Sequence, residues 1–284
     1  DHQCSSYDVE ACSWSNIPDE DFALADDNHW TIGQFVWTGF DYLGEPSPYD
    51  TNAWPNHSSM FGIIDLASIP KDRYYLYRSV WNKKAETLHI LPHWTWPGRE
   101  GKVTPVFVYT NHPTAELFIN GKSYGKQSKN NSSLKNRYRL MWIDAVYEPG
   151  EIKVVAYNKD GKAVAEKIVR TAGKPHHIEL VSNRNELTAD GKDLAYITVK
   201  VVDKDGNLCP ADSRQINFSV KGAGKYRAAA NGDPTNLEQF HLPKMHTFNG
   251  MLTAIVQSGE TAGEIVLTAK ASGVKAGNIR IQTK

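Results

Sequence analysis

The spacing of apolar residues changes character near residue 86. Before that point they gather in short clusters and one helical stripe; after it they alternate with polar residues in repeated short runs. In the first part, Gln34-Phe35-Val36-Trp37 has no polar alternation and predicts a strand buried on both faces. The run turns abruptly polar at Thr38-Gly39-Phe40-Asp41 and again at Gly44-Glu45-Pro46, as a strand does when it opens into a loop at the catalytic end of a (β/α) barrel. Upstream, Asn16-Ile17-Pro18-Asp19-Glu20-Asp21-Phe22 supplies a polar cap, an early proline and acidic residues suited to the positive end of a helix. That predicts a helix through Asp26, broken by Asp27-Asn28-His29. A helix feeding a buried strand is half of a βα repeat, and half a repeat cannot bury its own faces. The expectation is therefore a piece from the end of a barrel. Ser68-Ile69-Pro70-Lys71-Asp72 reads as a second helix entry, after which Tyr74, Tyr77 and Trp81 share one face as core residues, and Asn82-Lys83-Lys84 ends the helix.

From Thr87 the pattern is that of strands. Leu88 to Trp96 starts a second domain, with Gly98-Arg99-Glu100-Gly101 as its first turn; Val103 to Tyr109, Ala115 to Gly125, Tyr138 to Ile143 and Gly150 to Tyr157 read as strands, with an Asn120-Gly121 hairpin and a second hairpin over Lys159-Asp160-Gly161-Lys162. About seven strands is the count of an immunoglobulin-like sandwich. Gly173-Lys174-Pro175 is a turn-rich joint. Beyond it Ile178 to Leu180, Ala195 to Val202, Ile216 to Val220 and Gly263 to Ala269 predict another sandwich. The fold class expected is mainly β: two tandem immunoglobulin-like β-sandwiches, residues 86–172 and 173–284, preceded by the C-terminal fragment of a (β/α)8 barrel in residues 1–85.

Charge narrows the function classes. Lys plus Arg and Asp plus Glu are 32 each, a formal net charge of zero, so nothing steers the chain to nucleic acid. No apolar run approaches the roughly 20 residues needed to span a bilayer. The first residues, Asp1-His2-Gln3-Cys4, lack the basic start and apolar stretch of a signal peptide. Cys4 and Cys12 lie close enough in sequence to pair, but their spacing has no metal signature, and free, packed thiols are expected for both and for Cys209. His176-His177, and His241 with His246, have no acidic or cysteine companions at ligand spacing, and Gly222-Ala223-Gly224 is a turn between strands instead of a nucleotide loop. No cofactor and no metal are expected.

Candidate chemistry concentrates where the first strand opens. The Trp37 indole can floor a sugar with its face and offer its N–H to a hydroxyl, or it can plug a barrel top. The loop from Ser47 to Ser59 carries Tyr49, Trp54 and His57 among prolines and amides. Trp54 is the second candidate for a sugar contact, Asp41 a further one, and His57 a weaker one.

The run QFVWTGFDYLGEP, followed by Ser58-Ser59-Met60-Phe61-Gly62-Ile63-Ile64-Asp65 and by Pro70 to Trp81, closely resembles the end of the catalytic barrel in β-galactosidases of glycoside hydrolase family 2. The stretch VYTNHPTAELFINGKSYG is similar to the sandwich that follows the barrel in those enzymes. Leu187 to Asp193 and Asn231-Gly232-Asp233-Pro234-Thr235 resemble their terminal domain. The resemblance covers essentially the whole chain and implies that Trp37 lines the sugar pocket, that a β-galactoside is the substrate of the complete barrel, and that the setting is the periplasm or exterior of a bacterium.

A retaining glycosidase needs two carboxyl groups about 5–5.5 Å apart. In this family both are glutamates on earlier barrel strands. Here Glu10, Glu20 and Glu45 have the wrong context, and Asn185-Glu186 has the right letters near the start of the third domain. No catalytic residue is therefore expected in this chain, which alone should hydrolyse nothing. Relatives acting on glucuronides carry Asn-x-Lys in the corresponding loop; Asn56-His57-Ser58-Ser59 supplies no lysine, which favours a neutral sugar. Two other classes stay open: a carbohydrate-binding module using Trp94, Trp96 and Trp142 as platforms, and a structural role in homo-oligomer contacts.

Overall fold

The computed structural model describes residues 5–46 and 57–284. Its contacts divide the chain into two compact units, one taking residues up to Gly39 with Phe61–Ile63 and Pro70–Thr171, the other Phe40–Met60, Ile64–Ile69 and Ala172–Lys284.

In the first unit, α1 (Pro18–Asp27) begins with proline in its first turn followed by Asp19, Glu20 and Asp21. Its cap position is Ile17, without a side-chain cap; Asn16 instead donates from Nδ2 to Asp21 Oδ1 at 2.5 Å. Helix α2 (Asp72–Trp81) is entered through Lys71. The remaining elements are β1 (Leu88–Leu91), β2 (Val106–Thr110), β3 (Thr114–Ile119), β4 (Lys122–Ser128), α3 (Leu134–Tyr138), β5 (Leu140–Trp142), β6 (Glu151–Tyr157) and β7 (Ala163–Arg170). They form two antiparallel sheets, ordered β1-β2-β5 and β4-β3-β6-β7. Asn120 and Gly121 both take positive φ, 48° and 80°, which turns β3 into β4 as the Asn-Gly pair predicts.

Alternation sorts side chains between two cores. Val106, Val108, Leu140 and Trp142 from one sheet meet Ala115, Leu117, Ile119, Ile152 and Val154 from the other in a single buried cluster. The opposite face of β2 is also covered. Phe107 and Tyr109 lie in a second cluster with Phe22 of α1 and Leu76 and Tyr77 of α2. Strand β2 is consequently buried at every position. Arg139, just before β5, is fully buried with Asp19 of α1; its Nε donates to Asp19 Oδ1 at 2.8 Å and its Nη1 to the Tyr7 carbonyl at 2.7 Å. Burial opposes the guanidinium's charge, but the Asp19 carboxylate holds its pKa above the usual value.

Three expectations need correction here. Gln34–Trp37 forms no strand: the backbone is irregular, and Phe35 is fully exposed and Trp37 75% exposed, because no neighbouring strand among the described residues offers this run a hydrogen-bonding edge. Tyr138 to Ile143 is not one strand, since Ser133 Oγ accepts the Asn136 N–H at 3.1 Å and caps α3 before β5 begins. Trp94 and Trp142 are core residues and not sugar platforms. Each is buried in the inner cluster and donates its indole N–H to a backbone carbonyl, of Glu148 and Gly125 respectively. Trp96, half-buried, packs on the same cluster and donates to His93 O at 2.7 Å.

The second unit contains β8 (His177–Ser182), β9 (Glu186–Leu187), β10 (Leu194–Val202), β11 (Gln215–Gly222), β12 (Gly224–Ala230), β13 (Lys244–His246), β14 (Met251–Ser258), β15 (Gly263–Lys270) and β16 (Gly277–Thr283). One sheet runs β12-β14-β10-β8, the other β13-β11-β15-β16-β9. Ile197, Val199, Leu252 and Val256 from the first face Ile216, Ile265, Leu267 and Ile281 from the second in one buried core. Gly222 closes β11 with φ 92°, and a Cβ there would lie 1.9 Å from the Glu264 carbonyl, so only glycine fits. Cys209 is buried and free, and burial pushes its thiol up to about 11; Cys12 is also free, while Cys4 lies outside the described residues.

Candidate functional site

Trp37 ends the apolar run of the first unit with its indole largely in solvent, and the peptide bond joining it to Thr38 is cis. The Thr38 carbonyl accepts the Ile63 N–H at 3.2 Å, which ties this turn to the segment preceding α2. An open indole face is what a sugar's C–H groups require.

Asp41 belongs to the second unit. It is buried, at 8% exposure, and its N–H donates to the Ile64 carbonyl at 2.9 Å, next to a parallel bridge between Phe40 and Ile64. The chain then pairs with its own return. Ser59 N–H donates to Tyr42 O at 2.8 Å, Gly44 N–H to His57 O at 2.9 Å, and Leu43 bridges Ser58. Glu45 accepts from the Tyr42 hydroxyl, which fastens the loop. Asp65 Oδ1 accepts the N–H groups of Ala67 and Ile69, both at 2.8 Å. A Cβ on Gly232 would sit 2.0 Å from Asp65 Oδ2, so glycine is what allows that close approach. Trp54, the second sequence candidate, lies outside the described residues, as do Tyr49 and Asn56.

His57 leads to residues that the sequence did not single out. Its N–H donates to Pro234 O at 3.0 Å, while its Nδ1 is buried with no hydrogen-bond partner among the described residues. Around it lies a cleft of about 640 Å³, lined by Leu43 and His57 on one side and by Arg227, Asn236, Gln239 and Phe240 on another. The only advance signal was Asn231-Gly232-Asp233-Pro234-Thr235, whose Pro234 turns out to hold His57. The lining can bind and orient a ligand. Among the described residues, no group of three or more His, Cys, Asp or Glu could hold a metal ion.

Residues 178–280 match the family described as Glycoside hydrolase family 2 C-terminal domain 5, and residues 101–165 match a domain of unknown function, DUF4982. The chain is 43% identical over 282 residues to beta-galactosidase BoGH2A of Bacteroides ovatus, an alignment covering 99% of this chain and 32% of that protein. It is 34% identical over 261 residues to a putative beta-glucuronidase of Formosa agariphila, covering 88% of this chain and 24% of that one. Among solved structures, a beta-glycosidase from Bacteroides vulgatus superposes with a TM-score of 0.88 at 35% identity, over 99% of this chain and 34% of that one. A glycosyl hydrolase family 2 member from Bacteroides cellulosilyticus gives 0.81 at 32%, over 91% and 37%. The chain thus spans a quarter to a third of the curated relatives named here. It belongs to glycoside hydrolase family 2 and corresponds to the C-terminal portion of its members.

Proposed function

We propose that this chain is the C-terminal part of a retaining β-galactosidase, in which residues 1–85 complete a (β/α)8 barrel, residues 86–172 and 173–284 are immunoglobulin-like sandwiches, and Trp37 walls the galactose pocket. The observation that carries this reading is the 43% identity to a β-galactosidase across nearly the whole chain. The exposed run Ile32, Phe35 and Trp37 supports it, because such residues suit strands buried between neighbours. A loop without lysine at Asn56-His57-Ser58-Ser59 supports a neutral sugar. In the same reading the two catalytic glutamates come from earlier strands of the complete enzyme, and the chain alone is inactive.

A chimera tests it. Replacing the corresponding third of the Bacteroides ovatus protein with this chain should keep hydrolysis of a chromogenic β-galactoside, while this chain alone shows none. Trp37→Ala in the chimera should lower kcat/KM by about 100-fold, the range of a lost positioning contact. A folded chimera without galactosidase activity, or one indifferent to Trp37→Ala, overturns the proposal.

A further inference from the structure

We infer that the cleft beside His57 is a saccharide-binding site of the second unit, built for a neutral oligosaccharide. The inference rests on the reading of the chain as part of a saccharide-cleaving enzyme, but its evidence is local. Strand β12 pairs with β14 in register on both sides of Arg227, with Tyr226 opposite Val256 and Ala228 opposite Ile255, so Arg227 is the extra residue of a β-bulge on an edge strand. Bulges re-aim side chains, and this one brings Arg227, which has no hydrogen bond or ion pair among the described residues, into the lining of the cleft.

The other donors and the apolar surface fit the same ligand. Gln239 and Asn236 line the cleft, Gln239 at an exposed position, while Leu43, Leu237 and Phe240 supply apolar surface. Hydrogen-bonding groups around an apolar floor match the hydroxyls and C–H faces of a sugar. Glu238 also lines the cleft, but its carboxylate already takes the His246 backbone N–H and stands 3.0 Å from His246 Nδ1. Arg227 and Glu238 carry opposite formal charges and the rest of the lining is His57, His241 and uncharged side chains, a mixed surface that suits an uncharged sugar better than a uronate. A planar guanidinium can donate two parallel hydrogen bonds to neighbouring hydroxyls. The segment 233–242 that forms one wall is pre-ordered: Asp233 Oδ1 accepts from the Thr235 N–H at 2.9 Å, and Asn236 Nδ2 donates to Asn231 Oδ1 at 3.1 Å.

The test is binding by this chain, followed by isothermal calorimetry and by amide shifts in NMR, with a β-galacto-oligosaccharide of several units, methyl β-galactoside and polygalacturonate as probes. The oligosaccharide should bind, with shifts gathered at Arg227, Gln239 and Phe240. Arg227→Ala, at an exposed position, should weaken it about tenfold or more, as loss of a charged hydrogen-bond donor does. Gln239→Ala should weaken it less. No binding, binding only of polygalacturonate, shifts gathered elsewhere, or indifference to Arg227→Ala each overturn the inference. Because the measurement needs no turnover, loss of binding beside an active chimera removes the cleft alone, and an inactive chimera beside intact binding removes only the galactosidase reading.

Discussion

Val106-Phe107-Val108-Tyr109 and Gln34-Phe35-Val36-Trp37 are nearly the same word in two places of one unit. The first is β2, hydrogen-bonded between β1 and β5, with Val106 and Val108 in one core and Phe107 and Tyr109 in another. In the second, Val36 packs partly on the outer cluster while Phe35 and Trp37 stand in solvent. An apolar run states a demand for cover, and the partners at hand decide whether it becomes a strand. Backbone N–H and C=O groups need a neighbouring edge, which the first run has and the second lacks among the described residues.

The largest effect should come from striking the covered run. Val108→Asp puts a carboxylate into a fully buried apolar cluster, and should cost the first unit on the order of 4 kcal/mol or more, read as loss of its urea transition. If the transition survives, β2 is not the centre of that unit.

A middle-sized effect tests order held by polar partners instead. Asp203 is buried, which works against its charge, but it accepts from Gly173 N–H at 2.8 Å, Asn207 Nδ2 at 3.0 Å, and Asn207 and Asp205 N–H at 2.9 Å each; together these bring its pKa down to about 2. The folded-state value lies below the unfolded one of about 3.9, so this stabilisation is complete above that pH and fades as pH falls toward 2. Asp203→Asn should lower the stability of the second unit by about 1–3 kcal/mol at neutral pH and make its fall between pH 4 and pH 2 less steep. An unchanged slope in that window would assign the acid sensitivity to other carboxylates.

The smallest effect belongs to the uncovered run. Phe35→Asp should change the urea midpoint by no more than about 0.5 kcal/mol equivalent, and the amides of residues 34–37 should exchange far faster than those of β2. Strong protection at 34–37 would erase the contrast.

Legibility followed the same division. The Asn120-Gly121 hairpin, both long helices and β10 were readable, because turn chemistry and alternation are local properties. Strands β12 and β14 were not. Gly224 to Ala230 is mostly glycine, alanine and charge, and its strand character comes from the register it shares with β14, whose Ala254 packs in the same buried core as Ala229. Helix α3 was hidden by its length, resting on one serine cap. Tryptophans invited a functional reading, yet Trp94 and Trp142 spend both face and N–H on the interior. The cleft was invisible because Leu43 and His57 meet residues far along the chain, and an inserted residue such as Arg227 leaves no mark in the pattern of letters.

The Arg139–Asp19 pair bears on how the molecule can be cut. Its two members are 120 residues apart, so a shorter chain starting at residue 86 would leave a guanidinium shut away from water with its counter-charge gone, and would strip Phe107 and Tyr109 of Phe22, Leu76 and Tyr77. Anyone trimming this protein to its seven-stranded half should carry both helices along, or replace Arg139 with a neutral residue and give the bared sheet a new polar coat.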